Sequence, residues 1–381
     1  MICCVPRRLA AARRVSVSWL GPVLLASGLL AEPLEPDRIA TIVEALTRLG
    51  PEKVNANPKL KEALDRVIEA TKGTPQFVEL VRDFGIKNQN PALLEIALRH
   101  SNTSSGVDAA RLIIDNQDWA LLKDSLESTN ALKTAEVLGN TGDKRVVPLL
   151  APLVVHLQRD VGLRKQAVRS LAQIQEGAAH VLQLAKEEKL PGDLKFTAAT
   201  ELHNVRWPIL KAEAAPLLPL PQGQNAQPLP PIAELMKMKG DAVKGSEVFR
   251  RDMVACIKCH QVNREGIDVG PNLSEIGTKL GKDALYESIL DPSAGISFGY
   301  EAWQIELKNG DEAFGLIVSE TADEIAMKAQ TGIVTKHKKP DVTKREKQKL
   351  SIMPAGLQQA MTTQELVDLV EYLSSLKKAA N

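Results

Sequence analysis

Apolar residues recur at three- and four-residue spacing almost without interruption from about Asp37 to Trp207. DRIATIVEALTRL, LKEALDRVIEATK, PALLEIALRH, DAARLIIDN, VVPLLAPLVVHL, LRKQAVRSLAQI and AAHVLQLAKEE all carry this period, which gathers apolar side chains on one helix face. Brief Gly, Pro, Asn or Asp punctuation separates them, and no strand-like alternation intervenes. The phrases AARLIIDN, TAEVLGNTGDKRVVPLL, AVRSLAQIQEGAAHVLQL and TAATELHNVRWPILKA repeat one another at intervals of 25 to 32 residues, from Ala110 to Ala135, Ala167 and Ala198. Each reads as a helix, a short turn and a second helix. The pattern then breaks. Pro208, Pro216, Pro219, Pro221, Pro228, Pro230 and Pro231, with Gly223 among Gln and Asn, predict a semi-rigid extended linker over 208–231. Helical period returns over Ala242 to Met253, Lys282 to Leu290 and Thr363 to Lys377, where Thr362 and Glu365 suit a capping box. Between the last two, YEAWQIELKNGDEAFGLIVSE alternates with period two around Asn309-Gly310, a strong hairpin signal. EIAMKAQTGIVTK predicts a second hairpin around Thr331-Gly332.

The expected organisation is therefore a helical repeat domain over 37–207, a linker over 208–231, and a C-terminal domain over 232–381 with a β insertion at about 300–350. At 381 residues the chain is long enough for this, and 44% hydrophobic with 25% charged residues is a globular composition. Lys and Arg number 48 against 47 Asp and Glu, so no global field points to a nucleic-acid partner. The repeats resemble HEAT-type repeats, including the Gly-Asp or Gln-Glu turn followed by an apolar helix, with a shorter and irregular period. Such an array implies an extended surface for docking a partner. His100, His156, His180 and His203 are scattered along it with no carboxylate or cysteine at ligand spacing, so none is expected to bind metal.

The first 31 residues change the compartment. VPRRLAAARR carries four arginines and no acid, and an uncharged stretch from Val15 to Ala31 follows. A basic segment, a short apolar segment and small residues near its exit describe a secretory signal peptide over 1–31, cleaved after Gly28 or Ala31. The alternative is an uncleaved anchor at the short limit of a bilayer span; membrane attachment is expected only in that case. The expected location is periplasmic.

Export gives the cysteines their meaning. Of four in the chain, Cys3 and Cys4 lie in the signal segment, which leaves Cys256 and Cys259. That count excludes a disulfide-stapled scaffold and a four-cysteine zinc site. Cys256-Ile-Lys-Cys259-His260 is the C-x-x-C-H run that attaches a c-type haem in an exported protein. Two thiols at this spacing can add to the two vinyl groups of one porphyrin edge, and the adjacent imidazole then becomes an axial iron ligand. A redox-active pair would need a βαβ context, and a zinc knuckle further Cys or His; after His260 the only histidine is His337.

GDAVKGSEVFRRDMVACIKCHQVNREGIDVGPNLSEIG resembles the first half of a class I cytochrome c. The resemblance implies that the carbonyl of Pro271 accepts a hydrogen bond from the proximal histidine, His260. SIMPAGL before the last helix resembles the distal-ligand loop of His/Met cytochromes and makes Met353 the sixth ligand; the other reading of Met353 is a gap-filling core side chain. LDPSAGISFGYE before the strands and SIMPAGL after them are similar to the planctomycete–verrucomicrobial haem-binding family (Pirellula/Verrucomicrobium type), over about Gly240 to Leu376. Many relatives add helical repeats and a β-propeller resembling sugar dehydrogenases; this chain has no propeller. Tyr300 and Trp303 are candidates to donate to a haem propionate, with core packing the alternative. The run KHKKPDVTKREKQK, with seven Lys or Arg and two acids, is either a solvated face or a guide for an acidic redox partner.

The fold class expected is mainly α: a HEAT-like α-solenoid followed by a cytochrome c helical domain with a small inserted β-sheet. The resemblance implies one covalent haem c and one-electron transfer from a periplasmic dehydrogenase, β-propeller types included, docked on the repeats. An electron-transfer protein of this kind has no substrate chemistry of its own. The alternative is a haem enzyme or gas or redox sensor with an open distal site.

Overall fold

The computed structural model describes residues 35–220, 229–251, 254 and 256–378. The expected signal segment with Cys3 and Cys4, Pro221 and Pro228 of the proline run, and Met253 lie outside the described residues. Seventeen α-helices and a five-stranded antiparallel sheet are found among the described residues. No described helix is long and apolar enough to cross a membrane.

The first twelve helices are α1 (Pro36–Ala56), α2 (Pro58–Thr71), α3 (Pro75–Phe84), α4 (Asn90–Arg99), α5 (Ser104–Asp115), α6 (Trp119–Glu127), α7 (Ala131–Thr141), α8 (Val147–Val155), α9 (Val161–Ala172), α10 (Gln175–Lys186), α11 (Lys195–His203) and α12 (Pro208–Leu217). The chain turns at Gly50 within α1, where φ is 78° and Pro51 follows. Helices α3, α5, α7, α9 and α11 pack in one row, each against the helix two places on. Helices α8, α10 and α12 form part of a second row against it. One continuous apolar core runs from Leu46 to Leu218 between the rows. Polar bonds join neighbouring parts of the array across 29 to 35 residues: Arg145 reaches Asp115 at 2.8 Å, Arg164 reaches Asp193 at 2.7 Å, and the Ser170 hydroxyl donates to the Ala135 carbonyl at 2.7 Å. Gly139 permits that last approach, since a Cβ there would lie 2.4 Å from the Ser170 side chain.

The linker expected from Pro208 starts later. Pro208 opens α12, where its missing N–H costs nothing because the first helical N–H groups have no intrahelical partner. Ala214 is fully buried and Leu218 nearly so, extending the helical core through half of the proline run. Pro216 sits in the last turn of α12, where the helix ends one residue on, at Leu217.

The C-terminal part comprises α13 (Ile232–Leu235), α14 (Ala242–Arg250), α15 (Ile276–Lys279), α16 (Lys282–Leu290) and α17 (Thr363–Ser375), with the sheet inserted before α17. Helices α14 and α17 cross closely at Gly245, where a Cβ would stand 1.9 Å from the Asp368 carbonyl oxygen. Phe249 and Tyr372 meet beside the crossing with ring centroids 5.8 Å apart. Thr362 caps α17 and Glu365 returns to the Thr362 N–H at 2.8 Å, the capping box expected.

The sheet runs β1 (Ala302–Leu307), β2 (Glu312–Glu320), β3 (Glu324–Lys328), β4 (Val334–Lys338) and β5 (Val342–Lys347), in the order β4-β3-β2-β1-β5. Both predicted hairpins are present, with Gly310 and Gly332 each at φ 82° in their turns. One face holds Ile305, Ile325 and Met327 in a core of its own. The other carries Ala302, Phe314 and Leu316 toward the cysteine motif. Edge strand β5 has no apolar alternation and is exposed along its length apart from a half-buried Val342.

His337, expected in a loop, lies in β4 and is 8% exposed. Period-two alternation explains it: Ile333, Thr335 and His337 point inward while Lys336 and Lys338 point to solvent. Ile333 joins the core of the first twelve helices, so the insertion is packed on that helical region rather than only tethered to it. The imidazole bonds to the Thr335 hydroxyl at 3.0 Å, and burial, with Arg111 as a smaller cause, pushes its pKa down to about 4. A histidine buried neutral lends stability that is complete above its unfolded pKa near 6.5 and is lost as pH falls toward 4. Unfolding melts between pH 7 and pH 4 should therefore show up to about 3 kcal/mol of pH-linked loss. His337→Asn should flatten that slope; an unchanged slope assigns the loss elsewhere.

Candidate functional site

The α14–α17 crossing aims the chain at the cysteine motif. Asp241 caps α14 by accepting from the Val243 N–H at 2.9 Å, and its own N–H donates to Asp368 at 2.9 Å, locking the helix start to α17. Beyond α14, Arg251 donates to Glu365 at 2.7 Å and to the Ala360 carbonyl at 3.0 Å. Cys256–Lys258 then forms a 3-10 turn, with the N–H groups of Cys259 and His260 both donating to the Cys256 carbonyl, at 3.1 and 2.9 Å. A single helical turn thus brings Cys256, Cys259 and His260 to one side of the chain. Both thiols are free.

The following loop folds back over this turn. Ile267 N–H donates to the Ile257 carbonyl at 3.0 Å, and Val269 and Gly270 both donate to the Cys259 carbonyl, at 3.0 and 2.7 Å. Two glycines make the return possible. At Gly266 φ is 105°, and a Cβ would fall 2.3 Å from the His260 carbonyl oxygen. At Gly270 a Cβ would stand 2.4 Å from His260 Cε1, so the backbone lies flat against the imidazole.

This stacking orients His260 for one role. Its Nδ1 lies 2.7 Å from the Pro271 carbonyl oxygen, which can only accept, so Nδ1 carries the proton and Nε2 keeps its lone pair. Burial lowers the His260 pKa, with the Pro271 bond opposing, and the ring is neutral near pH 7. Burial pushes the Cys256 thiol up to about 12 and raises Cys259 as well, so both are thiols rather than thiolates. Among the described residues no three His, Cys, Asp or Glu side chains converge to chelate a bare ion.

No family model matches the chain, and no curated protein does.

Met353 belongs to the loop from Leu350 to Gly356. Its N–H donates to the Ser351 hydroxyl at 3.1 Å, Ser351 N–H donates to Ser293 at 3.1 Å, and Gln330 donates to the Ile352 carbonyl at 3.1 Å. Ile352 is buried in one apolar cluster with Val269, Ala302 and Leu316, against which Cys259, Tyr300 and Phe314 pack. The residue before Met353 therefore touches the same cluster as the second cysteine. Met353 itself is half-buried and belongs to no apolar cluster, whereas Met327 is buried in the sheet's core and Met361 in the helical core against which Cys256 and Ile257 pack.

Tyr300 and Trp303 part company. Tyr300 packs on the Cys259 side. Trp303 follows Ala302 on β1 and so faces the other way, into the sheet's own core, with the Arg345 guanidinium 4.4 Å from its ring. Of the two readings of Trp303, this placement agrees with core packing. The basic run is altered too. Lys339 and Arg345 pair with Glu320, Lys344 with Glu306 and Glu346, and Lys347 with Glu301, so much of its charge is neutralised within the sheet. Such exposed pairs add little stability, about 0–1 kcal/mol each.

Two side chains from the repeat region also reach this side of the domain. Lys211 on α12 donates to the Ala355 carbonyl at 3.2 Å, two residues after Met353. The Arg206 guanidinium lies over both the Trp207 and the Phe314 ring, 4.9 Å from each centroid, and reaches Glu312 at 3.4 Å. Nothing in the local sequence around either residue signals the contact.

Proposed function

We propose that the protein is a monohaem c-type cytochrome that transfers single electrons. The reading combines a class I-like cytochrome c domain, split by the sheet, with a HEAT-like solenoid, as in the planctomycete–verrucomicrobial haem-binding family. Cys256 and Cys259 would hold the haem as thioethers, each S–H adding across one vinyl group. His260 and Met353 would be the axial ligands. Bound there, haem iron supplies a one-electron redox centre, and His/Met ligation favours transfer over oxygen activation.

The observation that carries this reading is the 2.7 Å bond from His260 Nδ1 to Pro271. It fixes the tautomer, points an unprotonated Nε2 away from the backbone, and raises its basicity. Gly270 serves the same end, because any side chain there would displace the ring. The two thiols one turn away are the donors for covalent attachment, and a bare metal ion has no comparable chelate among the described residues. The two rows of helices offer an extended docking surface for a partner, proposed to be a periplasmic dehydrogenase. Residues 1–31 are proposed to direct export.

The test is an optical spectrum of the exported protein with intact mass. Covalent haem mass, a low-spin ferrous spectrum and a methionine–iron charge-transfer band in the ferric state support the reading. Absence of haem mass would sink it; high-spin iron that binds carbon monoxide readily would replace electron transfer with the open-site alternative.

A further inference from the structure

The first turns of α7, α9 and α11 share one edge of the helical region. Leu132 in the first turn of α7 lies beside Gly162 in that of α9, where a Cβ would stand 3.9 Å from Leu132 Cδ1. Arg164, in the same turn of α9, reaches Asp193 just before α11 at 2.7 Å and the Val154 carbonyl near the end of α8 at 3.3 Å. On this edge Leu132, Val155, Leu157, Val161 and Phe196 are all between 42% and 68% exposed. A lone exposed apolar side chain is ordinary. Here Leu132, Val161 and Phe196 hold corresponding places in three helices that pack side by side, 29 and 35 residues apart in the chain. Lysines accompany them. Lys133 follows Leu132, Lys165 stands one turn on from Val161, and Lys195 precedes Phe196, and none forms an ion pair among the described residues. Most carboxylates nearby are engaged: Glu127 by Arg159, Asp193 by Arg164, Glu187 by Lys189, and Asp160 by the N–H groups of Gly162 and Leu163. Glu188 is the exception. The opposite edge is already covered, since Arg206 beyond α11 reaches Glu312 on β2 at 3.4 Å and Ile333 enters the helical core.

We propose that this open edge docks an acidic amphipathic helix of the redox partner. The proposal rests on the reading of the helical region as a docking element, and it names the surface and the chemistry recognised. Neighbouring helices in a row lie about 8–10 Å apart, and seven residues of α-helix rise about 10.5 Å. A helix laid across α7, α9 and α11 with an apolar residue at every seventh position therefore meets Leu132, Val161 and Phe196 in turn, and its flanking carboxylates meet the three lysines. Two other occupants fit less well. The chain's own residues 5–14 are basic and match the sign of the lysines. A bilayer surface takes a continuous apolar face, whereas exposed Gln158 and Asp160 interrupt this one. A partner seated here stands one helix length, about 14–18 Å, from the edge that carries the sheet. It anchors the complex and leaves the cysteine motif free for electron exchange.

The experiment measures binding of a designed peptide to the full chain by fluorescence anisotropy. The peptide is an amphipathic helix of about three heptads, with leucine at every seventh position and glutamate beside it; its twin carries lysine for each glutamate. The acidic peptide should bind, more weakly as salt rises, and the basic twin should not. Leu132→Ser and Phe196→Ser should each weaken binding about tenfold or more. Lys133→Glu, Lys165→Glu and Lys195→Glu combined in one chain should lose the acidic peptide and gain the basic one, an exchange that a merely structural role would not produce. Should that triple variant fail to fold, Phe196→Ser carries the test alone. No binding of the acidic peptide, or binding indifferent to these substitutions, overturns the proposal. Phosphatidylglycerol vesicles captured through the same residues, or self-association lost in Phe196→Ser, overturns it in favour of a membrane or a second copy. Haem mass is recorded in parallel: its absence overturns the cytochrome reading, and peptide binding judges the docking edge by itself.

Discussion

A chain in which Cys256 and Cys259 are both alanine should be exported without covalent haem, and intact mass should show the bare polypeptide. The expectation follows from how few alternatives the site offers. Cys3 and Cys4 lie in the proposed signal segment, and Cys256 and Cys259 are the cysteines among the described residues. Each single variant should retain one thioether and lose half of the covalent grip, visible as haem partly extracted under denaturing conditions. The double variant should lose all of it. Burial keeps both groups as thiols, which suits addition to a vinyl group and disfavours adventitious metal capture. The folded scaffold should survive in part, because the core of the first twelve helices is built without either cysteine, and Cys256 only packs at the edge of the core around the α14–α17 crossing. Helical circular dichroism close to wild type alongside absent haem mass is the expected pair of results. Full haem mass in the double variant would remove the site from Cys256 and Cys259 altogether.

What the sequence made legible was local. Helices α16 and α17 fall where their apolar period and the Thr362–Glu365 pair place them, and α14 ends three residues early, at Arg250. Asn309-Gly310 and Gly332 mark both hairpins because a positive φ is a single-residue demand. The bond between His260 and Pro271 spans only 11 residues and follows from the motif and the loop behind it. What was illegible is long-range. Arg206 meets Glu312 across 106 residues, and Lys211 meets Ala355 across 144. No local pattern distinguishes these two cations from any other at the end of a helical repeat. His337 was hidden for a different reason: flanking lysines look like a solvated loop until strand alternation turns the histidine inward. The proline run misled in the same way, since proline at the first position of a helix is favoured rather than forbidden.

The second large effect is expected at Met353. Met353→Ala should retain covalent haem, because attachment depends on Cys256 and Cys259, yet lose the methionine–iron charge-transfer band. The midpoint potential should fall by on the order of 100 mV, a fraction of the ~0.8 V that axial ligation spans. Thioether ligation favours ferrous iron, and its replacement by water or an open position removes that preference. Carbon monoxide should then bind the reduced protein readily. Two controls separate ligation from packing. Met361→Leu and Met327→Leu alter side chains buried in cores, where a volume-conserving swap costs less than about 1.5 kcal/mol, and neither should move the band. Lys211→Ala supplies the graded case, since it releases the Ala355 carbonyl and loosens the loop without touching Met353. It should weaken the band on heating before the protein unfolds, whereas the same variant in a Met353→Ala background should have no band left to lose. A band that persists in Met353→Ala would assign the sixth position to another side chain and leave the loop around Ile352 with a packing role only.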